Sequence, residues 1–178
     1  MHKSIAFLLG LTAVSAGTVF LNDATVGDII PPAIFDSIQF LDGLALSITK
    51  HDIEADLERC YTNATTVKDD IEHAMRDFSI GGVLGYVSGA LRTIKLIDEI
   101  PTFFNGCDDA GTAIETLVSW AQVQLNDTTA LEERITKNFL WDHTEIVTDI
   151  EAGLGDYNKT DYFDSGIEIG KAVMLLTQ

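Results

Sequence analysis

Apolar residues recur every three or four positions along most of the chain after residue 32, which is the spacing of one face of an α-helix. Such stripes run through residues 34–48, 53–60, 67–78, 83–97, 114–120, 131–150 and 163–176. Alternating β-branched runs are few, and the Asp42-Gly43 and Asn105-Gly106 pairs have no strand pattern on both sides. We therefore predict an all-α fold, a bundle of five to seven helices.

Proline and capping signals indicate where the helices begin and end. Pro31-Pro32 suits the first turn of a helix, and Pro101 follows the end of another apolar stripe. Thr129 and Glu132 have the spacing of a capping box. We assign residues 33–178 to one helical domain and residues 17–32 to an extended N-terminal arm.

The first 16 residues have the pattern of a secretory signal peptide. His2 and Lys3 precede an apolar run over residues 5–14, and Val14-Ser15-Ala16 supplies a small-residue cleavage site. The alternative is an N-terminal core helix. The run is too short to anchor the chain in a bilayer, and the next most apolar stretch contains two basic residues. The sequence predicts a secreted, extracellular protein with no membrane span.

The arm is unusually apolar for a segment outside the helical domain. Its apolar residues form two clusters, which are Val19, Phe20 and Leu21, and then Ile29 and Ile30. Such a segment is expected to pack on its own domain or on a neighbouring molecule, so we regard it as a candidate assembly arm.

Two stretches of the chain resemble each other. Residues 70–91 and 149–173 each begin Asp-Ile-Glu, have Asp and an aromatic residue starting five positions after the glutamate, and contain glycines four apart near the end. This parallel predicts a duplicated three-helix unit, with chance similarity between acidic amphipathic helices as the alternative.

Five glycines lie within these helical patterns, namely Gly81, Gly85, Gly89, Gly166 and Gly170. Each glycine inside a helix costs about 0.5–1 kcal/mol relative to alanine, so close packing must offset the loss. We expect the helix over residues 83–97 to meet the last helix at these glycines within one molecule. A second molecule or an apolar ligand at the same faces is the alternative.

Cysteine and asparagine usage fits an exported protein. Cys60 and Cys107 are the two cysteines, and in an oxidising compartment they predict one disulfide; a reactive or intermolecular thiol is the alternative. Three N-glycosylation sequons begin at Asn63, Asn126 and Asn158, between helical segments. We therefore predict a glycoprotein of a eukaryotic secretory pathway.

The charge balance limits the classes of partner. The chain has 28 acidic and 11 basic residues and a formal net charge of −17, which loss of Lys3 with the signal makes one unit more negative. Such a surface repels nucleic acid and anionic membranes and suits divalent cations or basic partners.

No motif of a known catalytic class is present, so the sequence predicts a protein that is not an enzyme, with no cofactor and no metal centre. Asp77, Asp156 and Asp161 are candidates for weak calcium binding, with helix capping as the alternative. The acidic residues near His73 and His143 are interpreted as solvated or ion-paired groups. Trp120 and Trp141 are interpreted as core, with the lining of a ligand cavity as the alternative. Phe103 and Phe104, in a turn just after a proline, are the candidates for a partly exposed pair.

Short motifs add a family resemblance. The segment Phe40-Leu41-Asp42-Gly43-Leu44, the following Cys60, and the closing run over residues 149–170 resemble small secreted helical proteins of ciliates and related protists. The resemblance implies secretion and a helical fold, and it transfers no catalytic residue.

These features favour a structural or interaction protein, most concretely a subunit of an extracellular filament, coat or matrix that associates with itself or with another secreted protein. A soluble carrier of lipid or another apolar ligand is the alternative.

Overall fold

The computed structural model of the protein describes residues 32–60, 65–103 and 111–178. Several predicted features lie outside these residues. They are the signal peptide, the arm with Val19, Phe20, Leu21, Ile29 and Ile30, the sequon at Asn63, and the residues Phe104 and Cys107.

The described residues form eight α-helices and no strand, which confirms the all-α prediction. The helices are α1 (Pro32–Thr49), α2 (Glu54–Cys60), α3 (Thr65–Ile80), α4 (Gly82–Asp98), α5 (Ile100–Phe103), α6 (Thr112–Leu125), α7 (Thr128–Asn158) and α8 (Tyr162–Thr177). The helix beyond the predicted range of five to seven is α5, a single turn around Pro101 that buries Ile100 and Phe103. None of these helices has both the length and the apolar character needed to cross a membrane.

Two helical hairpins and α1 build the core. Helix α3 packs against α4, α7 packs against α8, and α1 lies along α8 in the most extensive contact of the fold. Helix α6 also packs against α4. The apolar stripes of these helices form one continuous core, with Phe40 and Phe78 its largest fully buried side chains.

The N-cap of helix α7 lies two residues before Thr129, the first residue of the predicted capping box. This N-cap residue is Asp127, whose carboxylate accepts a hydrogen bond from the Ala130 N–H at 3.0 Å. The helix is kinked at Asp142, which has φ −114° and ψ 24°. Residues 140–145 around the kink are exposed. The buried positions of α7 lie before them, at Leu131 and Ile135, and after them, from Ile146 onward.

Helices α1 and α8 approach each other so closely that their backbones touch. A methyl group on Gly166 would overlap the Phe40 carbonyl oxygen and lie 3.0 Å from the Leu44 backbone nitrogen. A methyl group on Gly43 would overlap the Phe163 carbonyl oxygen in the same way. One turn further along α8, Gly170 lies against Ser47. This crossing therefore requires small residues on both helices.

The glycines of α4 face a different neighbour. The aromatic ring of Phe78 on α3 would lie 2.6–2.7 Å from a methyl group on Gly89, and the Asp77 carbonyl oxygen 2.8 Å from one on Gly85. The prediction that the glycines of α4 and α8 contact each other is therefore corrected: α4 uses its glycines against α3, and α8 uses its glycines against α1. The aligned glycines of the two similar stretches are thus not packing equivalents.

Gly81 has another role than the predicted helix packing. It is the N-cap residue of α4, with φ 72° and ψ 175°, and Gly82 has φ 65°. A positive φ is readily adopted by glycine and rarely by other residues. The pair therefore permits the tight turn between α3 and α4.

A matched pair of alanine substitutions tests the α1–α8 contact. Gly166→Ala should lower the free energy of unfolding by roughly 1–3 kcal/mol, because the backbones of α1 and α8 must separate to admit the methyl group. Gly155→Ala should raise it by about 0.5–1 kcal/mol, since Gly155 lies in α7 and nothing lies within 4 Å of the position that the methyl group would take. Urea denaturation measures both, and equal effects of the two substitutions would contradict the proposed contact.

Candidate functional site

An open groove lies between the first two turns of α4 and the first half of α7. Its volume is about 540 Å³. The apolar wall consists of Val83, Leu84, Val87 and Leu140, and the remaining lining residues are Glu132, Glu133, Thr136 and Lys137. We call this feature the apolar groove.

The apolar side chains at the groove are strongly exposed. Leu84 is 82% exposed and Leu140 is 66% exposed. Two more large apolar side chains lie at neighbouring sequence positions, Ile80 at the end of α3 with 70% exposure and Trp141 with 77%. Because large apolar side chains are rarely grouped on a protein surface without a partner, an exposed apolar surface of this kind is typical of an interaction site.

The packing of α4 explains why Leu84 faces outward. The buried face of α4 contains Gly85, Tyr86 and Gly89, which lie against α3 and the core. Leu84 is on the opposite side, and Val83 and Val87 are at the edge. The tilted ring contact between Tyr86 and Phe139, with centroids 5.1 Å apart, joins α4 to α7 beside the groove.

The aromatic residues differ from the sequence interpretation. Trp141, interpreted as core, is exposed because it lies at the kink of α7. Phe103, interpreted as partly exposed, is buried because the α5 turn directs it into the core. Trp120 is half-buried against the core.

The three candidate calcium ligands, Asp77, Asp156 and Asp161, have different surroundings. Asp77 accepts a hydrogen bond from Arg92 at 2.8 Å, and Asp156 accepts one from Lys159 at 2.9 Å. Asp161 is the N-cap residue of α8, without a side-chain capping bond. Within residues 32–60, 65–103 and 111–178, no three acidic, histidine or cysteine side chains are grouped to hold a metal ion.

The histidines in the described part of the chain lie at the surface. His51, His73 and His143 are all exposed. His51 shares an open cleft of about 510 Å³ with Asp56, but Asp56 already pairs with Arg59 at 2.6 Å. The cleft therefore presents a solvated histidine and an ion-paired carboxylate.

One buried carboxyl group was not singled out by the sequence. Asp42 is only 3% exposed, on the face of α1 that meets the start of α2. It accepts a hydrogen bond from the Ile53 N–H at 2.7 Å, just before the first turn of α2. Burial, with smaller contributions from Asp52 and Glu54, raises the pKa of Asp42 to about 6. The feature of the sequence that could have identified this buried carboxyl group is the position of an aspartate inside the apolar run of α1.

The predicted modification sites lie at helix junctions where they are described. Asn126 is the C-cap residue of α6, Asn158 is the last residue of α7, and both are exposed. Cys60 is the last residue of α2. Because Cys107 lies outside the described residues, the disulfide stays a prediction.

Comparison with protein-family models, with curated protein sequences and with solved structures finds no match to this chain. Functional inference therefore depends on the residues and surfaces described above, and the resemblance to secreted protist proteins stays an expectation.

The buried Asp42 predicts an unusual dependence of stability on pH. Its pKa is higher in the folded chain than the ordinary value of 3.8, so its contribution to stability is complete below pH 4 and is lost as the pH rises through about 6. The free energy of unfolding should therefore be about 2–3 kcal/mol greater at pH 4 than at pH 7 from this group. Burial also raises the pKa of Asp36 and of Asp149, which adds in the same direction.

Asp42→Asn tests the assignment, because the amide oxygen still accepts the Ile53 N–H while the charge is removed. Urea denaturation at pH 4 and pH 7 should show a smaller difference for this variant than for the unmodified chain. Asp69→Asn, at an exposed position on α3, is the matched control. An unchanged difference in the Asp42 variant would assign the pH dependence to other groups.

Proposed function

We propose that this chain is a secreted, N-glycosylated helical protein that acts by binding protein surfaces, most concretely as a subunit of an extracellular assembly such as a filament, coat or matrix. The observation that carries the proposal is the apolar groove, with Leu84 and Leu140 open to solvent on an otherwise acidic protein. An exposed apolar surface with a polar rim is the usual anatomy of a protein interface.

The sequence features of export support the extracellular part of the proposal. The N-terminal signal pattern precedes a chain with three sequons and two cysteines. The sequons at Asn126 and Asn158 occupy exposed helix junctions, where a glycan can be added without disturbing the core.

The glycines give less support to a carrier of apolar ligands than the sequence suggested. A ligand-approach role requires room beside them, but protein atoms lie against Gly85, Gly89, Gly166 and Gly170. The apolar groove is an open surface feature lined on one side by charged residues. A flat or extended protein segment fits such a surface better than a lipid chain that must be enclosed.

The net charge of −17 sets the conditions under which copies can associate. Like-charged molecules repel over a distance given by the Debye length, which is about 30 Å at 0.01 M salt and about 8 Å at physiological ionic strength. Self-association is therefore expected to strengthen as salt is added, in contrast to an interface held by ion pairs.

Glycan analysis tests the extracellular assignment. Expression of residues 1–178 in a eukaryotic secretory host should release a protein into the medium whose mass falls after endoglycosidase treatment. Asn126→Gln and Asn158→Gln should each reduce the mass loss, because each removes one exposed acceptor. A chain that stays inside the cell without glycans would contradict secretion.

Light scattering of the purified secreted protein tests the assembly assignment. We expect species larger than a monomer whose fraction rises with protein concentration and with ionic strength. A strict monomer at every concentration and salt would contradict a self-assembling subunit.

A further inference from the structure

The apolar groove has the size and chemistry to receive an apolar segment of polypeptide. Its wall follows about one turn of α4, from Val83 to Val87, and about two turns of α7, from Glu132 to Leu140. The latter corresponds to roughly 12 Å along the helix axis. Leu84 and Leu140 offer anchoring surface, and burial of each would remove a large exposed apolar side chain from water.

The chain itself contains a segment of matching character. Residues 18–30 carry Val19-Phe20-Leu21 at one end and Ile29-Ile30 at the other. Such a segment can span up to about 40 Å when extended, which is longer than the groove. Part of it can therefore fill the groove while the rest connects to α1 at Pro32.

We propose that residues 18–30 of one copy bind in the apolar groove of a neighbouring copy. This inference rests on the proposed function, because it names the contact through which the subunits of the assembly join.

The positions of the arm and the apolar groove in the fold favour binding between two copies over binding within one copy. The chain enters the bundle at Pro32, and one turn later Asp36 lies beside Lys68 and Ile71 in the first half of α3. The groove lies at the other end of α3, where Ile80 is followed by α4. Ile71 and Ile80 are roughly 14 Å apart along the helix axis.

An arm that reached the groove of its own copy would have to follow α3 over this distance. The exposed residues in the half of that route nearest Pro32 include Asp69 and Glu72, the latter 3.9 Å from Lys68 Nζ, and the exposed Arg76 follows further along α3. The arm itself carries Asp23 and Asp28, so it would meet Asp69 and Glu72 first. Like charges held side by side are destabilising. An arm from a neighbour reaches the groove without this path.

Donation of an arm from one end of a molecule to a groove at the other end is a head-to-tail contact. Such a contact uses two different surfaces, so a bound pair still offers one free arm on one copy and one free groove on the other. Repetition of the contact gives a ring when the rotation closes and an open filament when it does not. This arrangement matches the filament, coat or matrix proposed above.

Three substitutions in the full secreted chain test the inference by light scattering at high ionic strength. Phe20→Asp alters the arm, and Leu84→Asp alters the groove at a position that is already 82% exposed, so folding should be retained. Val123→Asp is the matched control, because Val123 is 72% exposed on α6 and is not among the groove residues. We expect the arm and groove variants to be monomers, with association weakened roughly tenfold or more, and the control to assemble like the unmodified chain.

A mixing experiment then identifies the contact. The Phe20→Asp protein keeps its groove and the Leu84→Asp protein keeps its arm, so an equimolar mixture should form 1:1 dimers that grow no further. Monomers alone in the mixture would overturn the proposal, because the arm of one copy would not reach the groove of the other. If Phe20→Asp and Leu84→Asp each assembled as fully as Val123→Asp, the contact between arm and groove would also be overturned. The proposed function as an assembly subunit would still stand. An unmodified chain that is monomeric in all conditions would overturn both.

Discussion

The backbone contact between α1 and α8 is the constraint on which the rest of the bundle depends. Gly43 and Gly166 each lie where a methyl group would overlap a carbonyl oxygen of the other helix. At this separation the two helices exclude water and gain dispersion contacts along the most extensive interface of the fold. Because glycine lowers the stability of an isolated helix, the two helices depend on each other. The crossing also fixes α7, which forms a hairpin with α8, and α2, which starts at the buried Asp42 on α1.

A second set of glycines produces the candidate interaction surface. Gly85 and Gly89 admit the Phe78 ring and the end of α3 against α4, and this orientation directs Leu84 away from the core. On the facing element, the kink at Asp142 leaves Leu140 and Trp141 exposed on α7. The same residues that allow close packing on one side of α4 therefore create an apolar groove on the other.

The acidic surface and the buried carboxyl groups affect the pH dependence of stability in the same direction. The surface is strongly acidic, and within the described residues burial is the chief cause of raised pKa values at four carboxyl groups, which are Asp36, Asp42, Glu58 and Asp149. Mild acid reduces the repulsion among carboxylates and the cost of burying Asp42. Both effects favour the folded chain, and the smaller net charge also favours contact between copies. Association through an apolar surface fits this balance better than association through ion pairs.

The sequence by itself determined the helical class, since stripes of apolar residues at helical spacing depend only on local periodicity. It also marked the glycines of α4 and α8 as positions where close packing must offset lost helix stability. It did not determine their partners: Gly166 contacts α1 rather than α4, and Gly43, inside the apolar run of α1, has no local signal of a contact with a residue more than a hundred positions away. The exposure of Leu84 and Trp141 and the burial of Asp42 were likewise decided by tertiary structure. The physical reason is that the order of residues along a helix determines which side chains share a face. The packing of the other helices then decides which of these faces is buried.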